Sequence, residues 1–121
     1  MARTPDQLSR AFAALADPIR RDIVARLTVG DATVSDLAAH YDVSLQAVSK
    51  HLRVLEDAGL VTRSREAQRR PVHLESEVLA TLTTWIERHH RRAEDRMVRL
   101  EEVLGEPPSP GTHTTDAGAD R

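Results

Sequence analysis

Residues 44–59 of the chain have the sequence SLQAVSKHLRVLEDAG, and this stretch decides the fold. Ser44 is a residue type that caps the start of a helix, and Gly59 is the type that ends one. Apolar residues recur between them at helical spacing, at Val48, Leu52 and Leu55. The spacing predicts a helix over Leu45–Ala58 with one apolar side.

The other side of this helix is polar and basic. Glutamine can form two hydrogen bonds to adenine, and arginine or lysine can do the same with guanine, so such a face suits the major groove of DNA. Ser44 is expected to cap the helix first and to be available to a phosphate as well. His51, beside the inward Leu52, is expected to be packed or bonded to backbone rather than to contact a base. The predicted DNA-contacting residues of this segment are Ser44, Gln46, Ser49, Lys50 and Arg53.

The flanking sequence predicts three earlier helices, then two strands and a long helix. The first predicted helix is Gln7–Ala16. The second is capped by Asp17, begins at Pro18 and is ended by Gly30, and the third is Val34–His40, capped by Thr33. The predicted strands are Leu60–Arg65 and Pro71–Glu75, and the last helix runs from Ser76 to about Leu104. The predicted fold is therefore mainly α with a small β-hairpin. Two helices joined by a tight turn and followed by a basic hairpin form a winged helix-turn-helix.

The hairpin is expected to contact DNA phosphates or enter the minor groove, because it is rich in arginine. The chain as a whole has a formal net charge of −2. Residues 50–70 nevertheless carry six basic and three acidic side chains, a local net charge of +3. A local basic face is what phosphate binding requires. The hairpin residues predicted to contact DNA are Arg63, Arg65, Arg69 and Arg70.

The last helix carries an apolar stripe that is too long for one small domain to cover. At 1.5 Å per residue the helix is about 40 Å long. The stripe therefore predicts a homodimer, which would place a second copy of the DNA-contacting helix about one DNA turn away, ~34 Å. The residues of this stripe predicted to form the dimer interface are Leu79, Leu82, Trp85, Ile86, Met97 and Leu100.

Composition bounds the remaining possibilities. Residues 1–7 are expected to be flexible, residues 8–104 to form the DNA-binding and dimerisation domain, and residues 105–121 to be a disordered tail. The chain has no cysteine, and no apolar run long enough to cross a bilayer, so we expect a cytoplasmic protein with no membrane partner.

The sequence shows neither a glycine-rich phosphate loop nor a recognisable Ser-His-Asp arrangement, so we do not expect an enzyme. Three aspartates are expected to be plain surface charges: Asp22, Asp31 and Asp36.

Two stretches resemble the ArsR/SmtB family of bacterial transcription regulators. They are AALADPIRR at residues 13–21 and SLQAVSKHLRVLEDAGLV at residues 44–61. The resemblance covers roughly residues 8–104. It implies a homodimer paired through the first and last helices, so the predicted interface also includes Leu8, Phe12 and Leu15. It further implies that the dimer binds an inverted-repeat operator in double-stranded DNA and represses transcription, often from its own promoter.

Many members of this family sense metals, and the sequence departs from their patterns. The segment ATVSDL at residues 32–37 lacks the cysteine motif, and SEVL at residues 76–79 lacks the early ligand pair of the last helix. The resemblance is to a branch without metal, whose last helix carries a tryptophan, here Trp85. We therefore expect no cofactor. Two alternatives stay open: a Zn²⁺ or Ni²⁺ sensor using His89, His90 and Glu94, with a further ligand such as His73, and a protein-interaction module.

Overall fold

The computed structural model describes residues 6–64 and 70–105. Its elements are α1 (Gln7–Ala14), α2 (Pro18–Leu27), α3 (Val34–Ala38), α4 (Leu45–Asp57), β1 (Val61–Arg63), β2 (Val72–Leu74) and α5 (Ser76–Leu104). Their order and types confirm the predicted winged helix-turn-helix. The predictions for Arg65 and Arg69 and for most of the tail lie outside the described residues.

Helices α1 to α4 begin where a capping side chain bonds to free backbone N–H groups. Ser44 accepts a hydrogen bond from the Ala47 N–H at 3.1 Å, which confirms its capping role. Asp17 accepts from the N–H groups of the second and third residues of α2, and Pro18, which has no N–H, occupies the first helical position. Thr33 and Asp36 form a reciprocal capping box at the start of α3. Asp36 is thus not the plain surface charge expected from the sequence, because its carboxylate accepts from the Thr33 N–H.

Four helices end before their predicted boundaries, α4 by a single residue, at Asp57. α1 and α3 each stop two residues early, at Ala14 and Ala38. The prediction that Gly30 ends α2 is wrong. The helix ends at Leu27, where the Thr28 hydroxyl donates to the Ala25 carbonyl at 2.6 Å, and it is Gly59 and Gly105, not Gly30, that take the left-handed conformation.

The helix α4 ends at a glycine in the left-handed conformation, as the sequence predicted for Gly59. Gly59 has φ +80° and donates to the Glu56 carbonyl at 3.0 Å. The Leu60 N–H donates to the Leu55 carbonyl, also at 3.0 Å. These two bonds define a Schellman motif, which leads the chain directly from α4 into β1.

The hairpin is shorter than predicted, with three residues in each strand. It is antiparallel, with Val61 opposite Leu74 and Thr62 opposite His73. A third segment joins it, which the sequence did not predict. Ala32 forms a bridge with Val72 through two backbone hydrogen bonds of 3.3 and 2.7 Å. The loop before α3 is thereby attached to the base of the hairpin.

The chain divides after Thr84 into two compact units. The first contains the aliphatic core, whose buried residues are Ala11, Ala14, Ile23, Val24, Leu27, Leu37, Val48, Leu52, Leu55, Ala58, Leu60, Val61, Val72, Leu74 and Leu82. In the second, the described side chains from Trp85 to Gly105 are exposed or half-buried. No helix within residues 6–64 and 70–105 is both long and apolar enough to cross a membrane.

Gly59→Ala is expected to lower the free energy of unfolding by about 1–2 kcal/mol, because an L-residue is strained in the left-handed conformation. A Cβ at this position would also meet the Gln7 amide nitrogen at 2.5 Å. Urea unfolding measures the change. Gly30→Ala is the matched control, since a Cβ there meets nothing within 4 Å, and it should leave stability unchanged or slightly higher. Equal losses of stability in the two variants would contradict the assignment of a strained left-handed conformation to position 59.

Candidate nucleic-acid interface

The helix α4 is buried along one side and exposed along the other. Its apolar side is completely buried, with zero exposure at Val48, Leu52 and Leu55. Of the predicted DNA-contacting residues, Gln46, Lys50 and Arg53 are exposed and Ser49 is half-buried. Ser44 is exposed at the start of the helix. The structure therefore brings the predicted residues to one accessible face, while their contacts with DNA stay a prediction.

The turn between α3 and α4 is attached to α2 by a polar cluster. The Tyr41 hydroxyl donates to the Asp22 carboxylate at 2.6 Å, and Arg26 donates to the same oxygen at 2.8 Å. The Tyr41 hydroxyl bond, followed by that from Arg26, holds the pKa of Asp22 below its ordinary value. The expectation that Asp22 is a plain surface charge is thus wrong, because its carboxylate links the turn to the preceding helix. The sequence signal was the i, i+4 pair formed by Asp22 and Arg26.

His51 connects α4 to the junction of α1 and α2. The Arg20 guanidinium donates to His51 Nδ1 at 3.2 Å and to the Ala14 carbonyl at 2.6 Å. Since a guanidinium can only donate, Nδ1 is the acceptor. The Asp17 carboxylate lies 3.8 Å from the same nitrogen, which is too far for a hydrogen bond. His51 is therefore packed as predicted, but its partner is a side chain rather than the backbone.

Asp17 is the third member of this cluster. Its carboxylate accepts from the Arg20 N–H at 3.1 Å and from the Ile19 N–H at 2.9 Å. The Arg20 backbone bond is the main cause that lowers the pKa of Asp17 from its ordinary 3.8. The carboxylate therefore remains ionised, and able to cap α2, at lower pH than an ordinary aspartate.

The described arginines of the hairpin differ in accessibility. Arg70 is exposed and has φ 45°, so the backbone turns sharply just before Pro71. Arg63 is half-buried, with Nε 3.6 Å from the Glu56 carboxylate at the end of α4. That distance is too long for a hydrogen bond, and Nε is buried without another partner. Arg63 is thus directed toward α4 and is only partly accessible to solvent. The sequence could not show this contact.

His73 on β2 pairs with Asp31 at 2.9 Å, close to the Ala32–Val72 bridge. The hydrogen bond to Asp31 raises the pKa of His73 above its ordinary value. The expectation that Asp31 is a plain surface charge is therefore wrong, because it holds the imidazole of the facing strand. His73 was one candidate for a further metal ligand, and in this structure its Nδ1 is engaged by a carboxylate.

Of the candidate metal ligands on α5, His89 has another partner, whereas His90 and Glu94 lie near each other. His89 stacks on Trp85 with ring centroids 4.2 Å apart, and its Nδ1 lies 2.9 Å from the Trp85 carbonyl. His90 Nδ1 lies 3.9 Å from the Glu94 carboxylate. Over the parts of the chain that the structure describes, no group of three or more His, Asp or Glu side chains is arranged to hold a metal ion. The absence of a cofactor stays a prediction.

The predicted dimer residues occupy three environments. Leu8, Phe12, Leu15 and Leu79 are half-buried against the core of the first unit. Leu82 belongs to that core with 4% exposure, so it has little surface left for a partner. The residues that remain exposed are Trp85, Ile86, Met97 and Leu100, with exposures of 41, 50, 60 and 51%.

Comparison with known proteins places this geometry in a family. A helix-turn-helix domain family matches residues 15–64. The HTH-type transcriptional regulator Rv2034 of Mycobacterium tuberculosis is 45% identical over 91 residues, which cover 75% of this chain and 82% of that protein. A crystal structure of an ArsR family transcriptional regulator is 36% identical with a TM-score of 0.69, covering 74% of this chain and 98% of the other. The chain belongs to the ArsR/SmtB family.

The members of this family are DNA-binding transcription regulators, so the chain is a regulator that binds double-stranded DNA and not an enzyme. The resemblance seen in the sequence is confirmed. Another relative, the transcriptional repressor SdpR of Bacillus subtilis, is 33% identical over 79 residues, covering 65% of this chain and 88% of that protein.

His51→Ala is expected to lower the free energy of unfolding by about 1 kcal/mol, the usual value of a side-chain hydrogen bond. Base preference within a DNA half-site should not change, because His51 is directed at Arg20. Urea unfolding and binding to a panel of half-site variants measure the two effects. Lys50→Ala, at an exposed position one residue away, is the stability control and should unfold like the parent chain. An altered base preference at unchanged stability would make His51 a base-contacting residue.

Proposed function

We propose that the chain is a homodimeric transcription repressor that binds an inverted-repeat operator, including one in its own promoter. The observation that carries the proposal is the two-sided α4, with three completely buried residues behind an exposed polar and basic face. Membership of a DNA-binding family supports this use of the face. The names of similar proteins, such as the repressor SdpR, support repression. The protein would act in the cytoplasm, where the DNA is.

Charge supports α4 as the element that enters the major groove. Lys50 and Arg53 are three residues apart on one helical face, and both are exposed. Gln46 lies one turn earlier on the same face as Lys50, where its amide can form a bidentate pair with adenine. Arg70 extends the basic surface onto the hairpin, where a phosphate contact would set the position of the protein on the duplex.

Lys50→Ala combined with Arg53→Ala is expected to weaken operator binding and to reduce its salt dependence. Each phosphate contact contributes about −0.9 to the slope of log K against log salt, so the loss of two contacts from each protomer of the bound dimer should flatten the slope by about 3.6. Fluorescence anisotropy on fragments selected from the source genome, at several salt concentrations, measures both quantities. If only one of the two residues contacts a phosphate and the other contacts a base, the slope should change by about half as much.

Arg96→Ala combined with Arg99→Ala is the matched control, since it removes the same charge from exposed positions of α5. This control should retain a much steeper salt dependence than the α4 double variant. Equal effects of the two double variants would show that α4 does not supply the specific phosphate contacts. Failure of the parent chain to bind any fragment would overturn the repressor proposal and favour a protein-interaction module.

The homodimer is supported by the apolar residues of α5 in the second unit. Ile86, Met97 and Leu100 are each half exposed or more, and their spacing of eleven and three residues keeps them on one side of the helix. A stripe of large exposed apolar side chains marks an interaction surface. A second copy of the chain is the natural partner, because a two-fold symmetric dimer matches an inverted-repeat operator.

Met97→Glu combined with Leu100→Glu is expected to convert the dimer into a monomer, because a charge buried without a partner is strongly disfavoured. Analytical ultracentrifugation should show the parent chain at twice the 13.5 kDa chain mass and the variant at the chain mass. Val29→Glu, at a position that is 91% exposed in the first unit, is the control and should remain dimeric. A parent chain that sediments as a monomer at operator-binding concentrations would contradict the proposal.

A further inference from the structure

The start of α4 carries a leucine that the fold does not bury. Leu45 is the first residue of the helix, directly after the Ser44 cap, and it is 53% exposed. Leu52 and Leu55 of the same helix are completely buried. Its side chain is therefore accessible to whatever the start of α4 contacts.

The neighbouring exposed valine has a local explanation that does not extend to Leu45. Val43 is 40% exposed and precedes the cap, the position from which an apolar residue packs against the fourth residue of a helix. That fourth residue is Val48, which is apolar and buried. Leu45 is instead three residues before Val48 and seven before Leu52, so it extends the apolar side of α4 to the start of the helix, where half of its surface is left accessible.

The position of Leu45 indicates what would cover it. In helix-turn-helix proteins the first residues of the DNA-contacting helix meet base edges in the major groove. Leu45 and Ser49 are four residues apart, so Leu45 lies where the apolar side of α4 borders its exposed face, and Gln46 follows it directly. The apolar group that bases present in the major groove is the 5-methyl group of thymine.

We propose that Leu45 contacts the 5-methyl group of a thymine in each half-site of the operator, and so selects thymine at that position. The inference rests on the proposed function, since it requires α4 to lie in the major groove. It assigns specificity to an apolar side chain at the start of the helix, in addition to the polar residues Gln46, Ser49, Lys50 and Arg53.

The test replaces thymine by deoxyuridine, which keeps the base-pairing groups and removes only the methyl group. In a selected operator, each thymine is replaced in turn, at the same place in both half-sites, and affinity is measured by anisotropy. Removing a buried methyl group should weaken binding by about fourfold for each half-site. We expect this loss at one thymine position with the parent chain and no loss at that position with Leu45→Ala.

Val54→Ala is the matched control, because Val54 is also an exposed apolar residue of α4 at 40% exposure but lies nearer the other end. The Val54→Ala variant should lose affinity at the same thymine position as the parent chain does. Equal affinity of the parent chain for every deoxyuridine operator would overturn the inference. A loss in Leu45→Ala equal to that of the parent would also overturn it, since another side chain would then contact the methyl group. Both outcomes leave operator binding itself intact, whereas a parent chain that binds no operator overturns the proposed function.

Discussion

Burial of one side of α4 is the constraint on which the rest of the structure depends. Three aliphatic side chains there are completely excluded from water, and each such burial contributes about 1.5–3 kcal/mol. Because side chains are distributed around a helix, burying one side necessarily exposes the other. The polar cluster around Tyr41, the His51–Arg20 bond and the Schellman motif at Gly59 all act on this helix. The contacts that stabilise the core therefore also determine which side chains face solvent.

The sequence was most informative where a local rule and an apolar pattern agreed. Pro18 after Asp17, Ser44 before an amphipathic stretch and the regular stripe after Ser76 each predicted a helix start that the structure confirms. The exposed face of α4 followed from the same pattern, because helical spacing places the remaining side chains on the opposite side from the buried ones. Family membership could also be inferred, since the two matching stretches contain these caps and core residues.

The sequence was least informative where a side chain finds its partner far along the chain. Asp31 bonds to His73 across 42 positions, and Arg20 bonds to His51 across 31, so neither pair shows a periodic signal. The bridge between Ala32 and Val72 is made by backbone groups, which every residue possesses. Gly30 was misleading for a different reason. A glycine can adopt the left-handed conformation but does not require it, and the chain left the helix three residues earlier.

The stacking of Trp85 on His89 gives the protein an internal optical reporter. Trp85 is the only tryptophan of the sequence, so all indole emission comes from this one point on α5. The indole is stacked on the imidazole ring of His89, with the two ring centroids 4.2 Å apart, and Trp85 is 41% exposed. The emission therefore depends on this stacking contact and on whatever covers the surface around it. Assembly and solvent access at α5 can be followed in the unlabelled chain, without changing a residue.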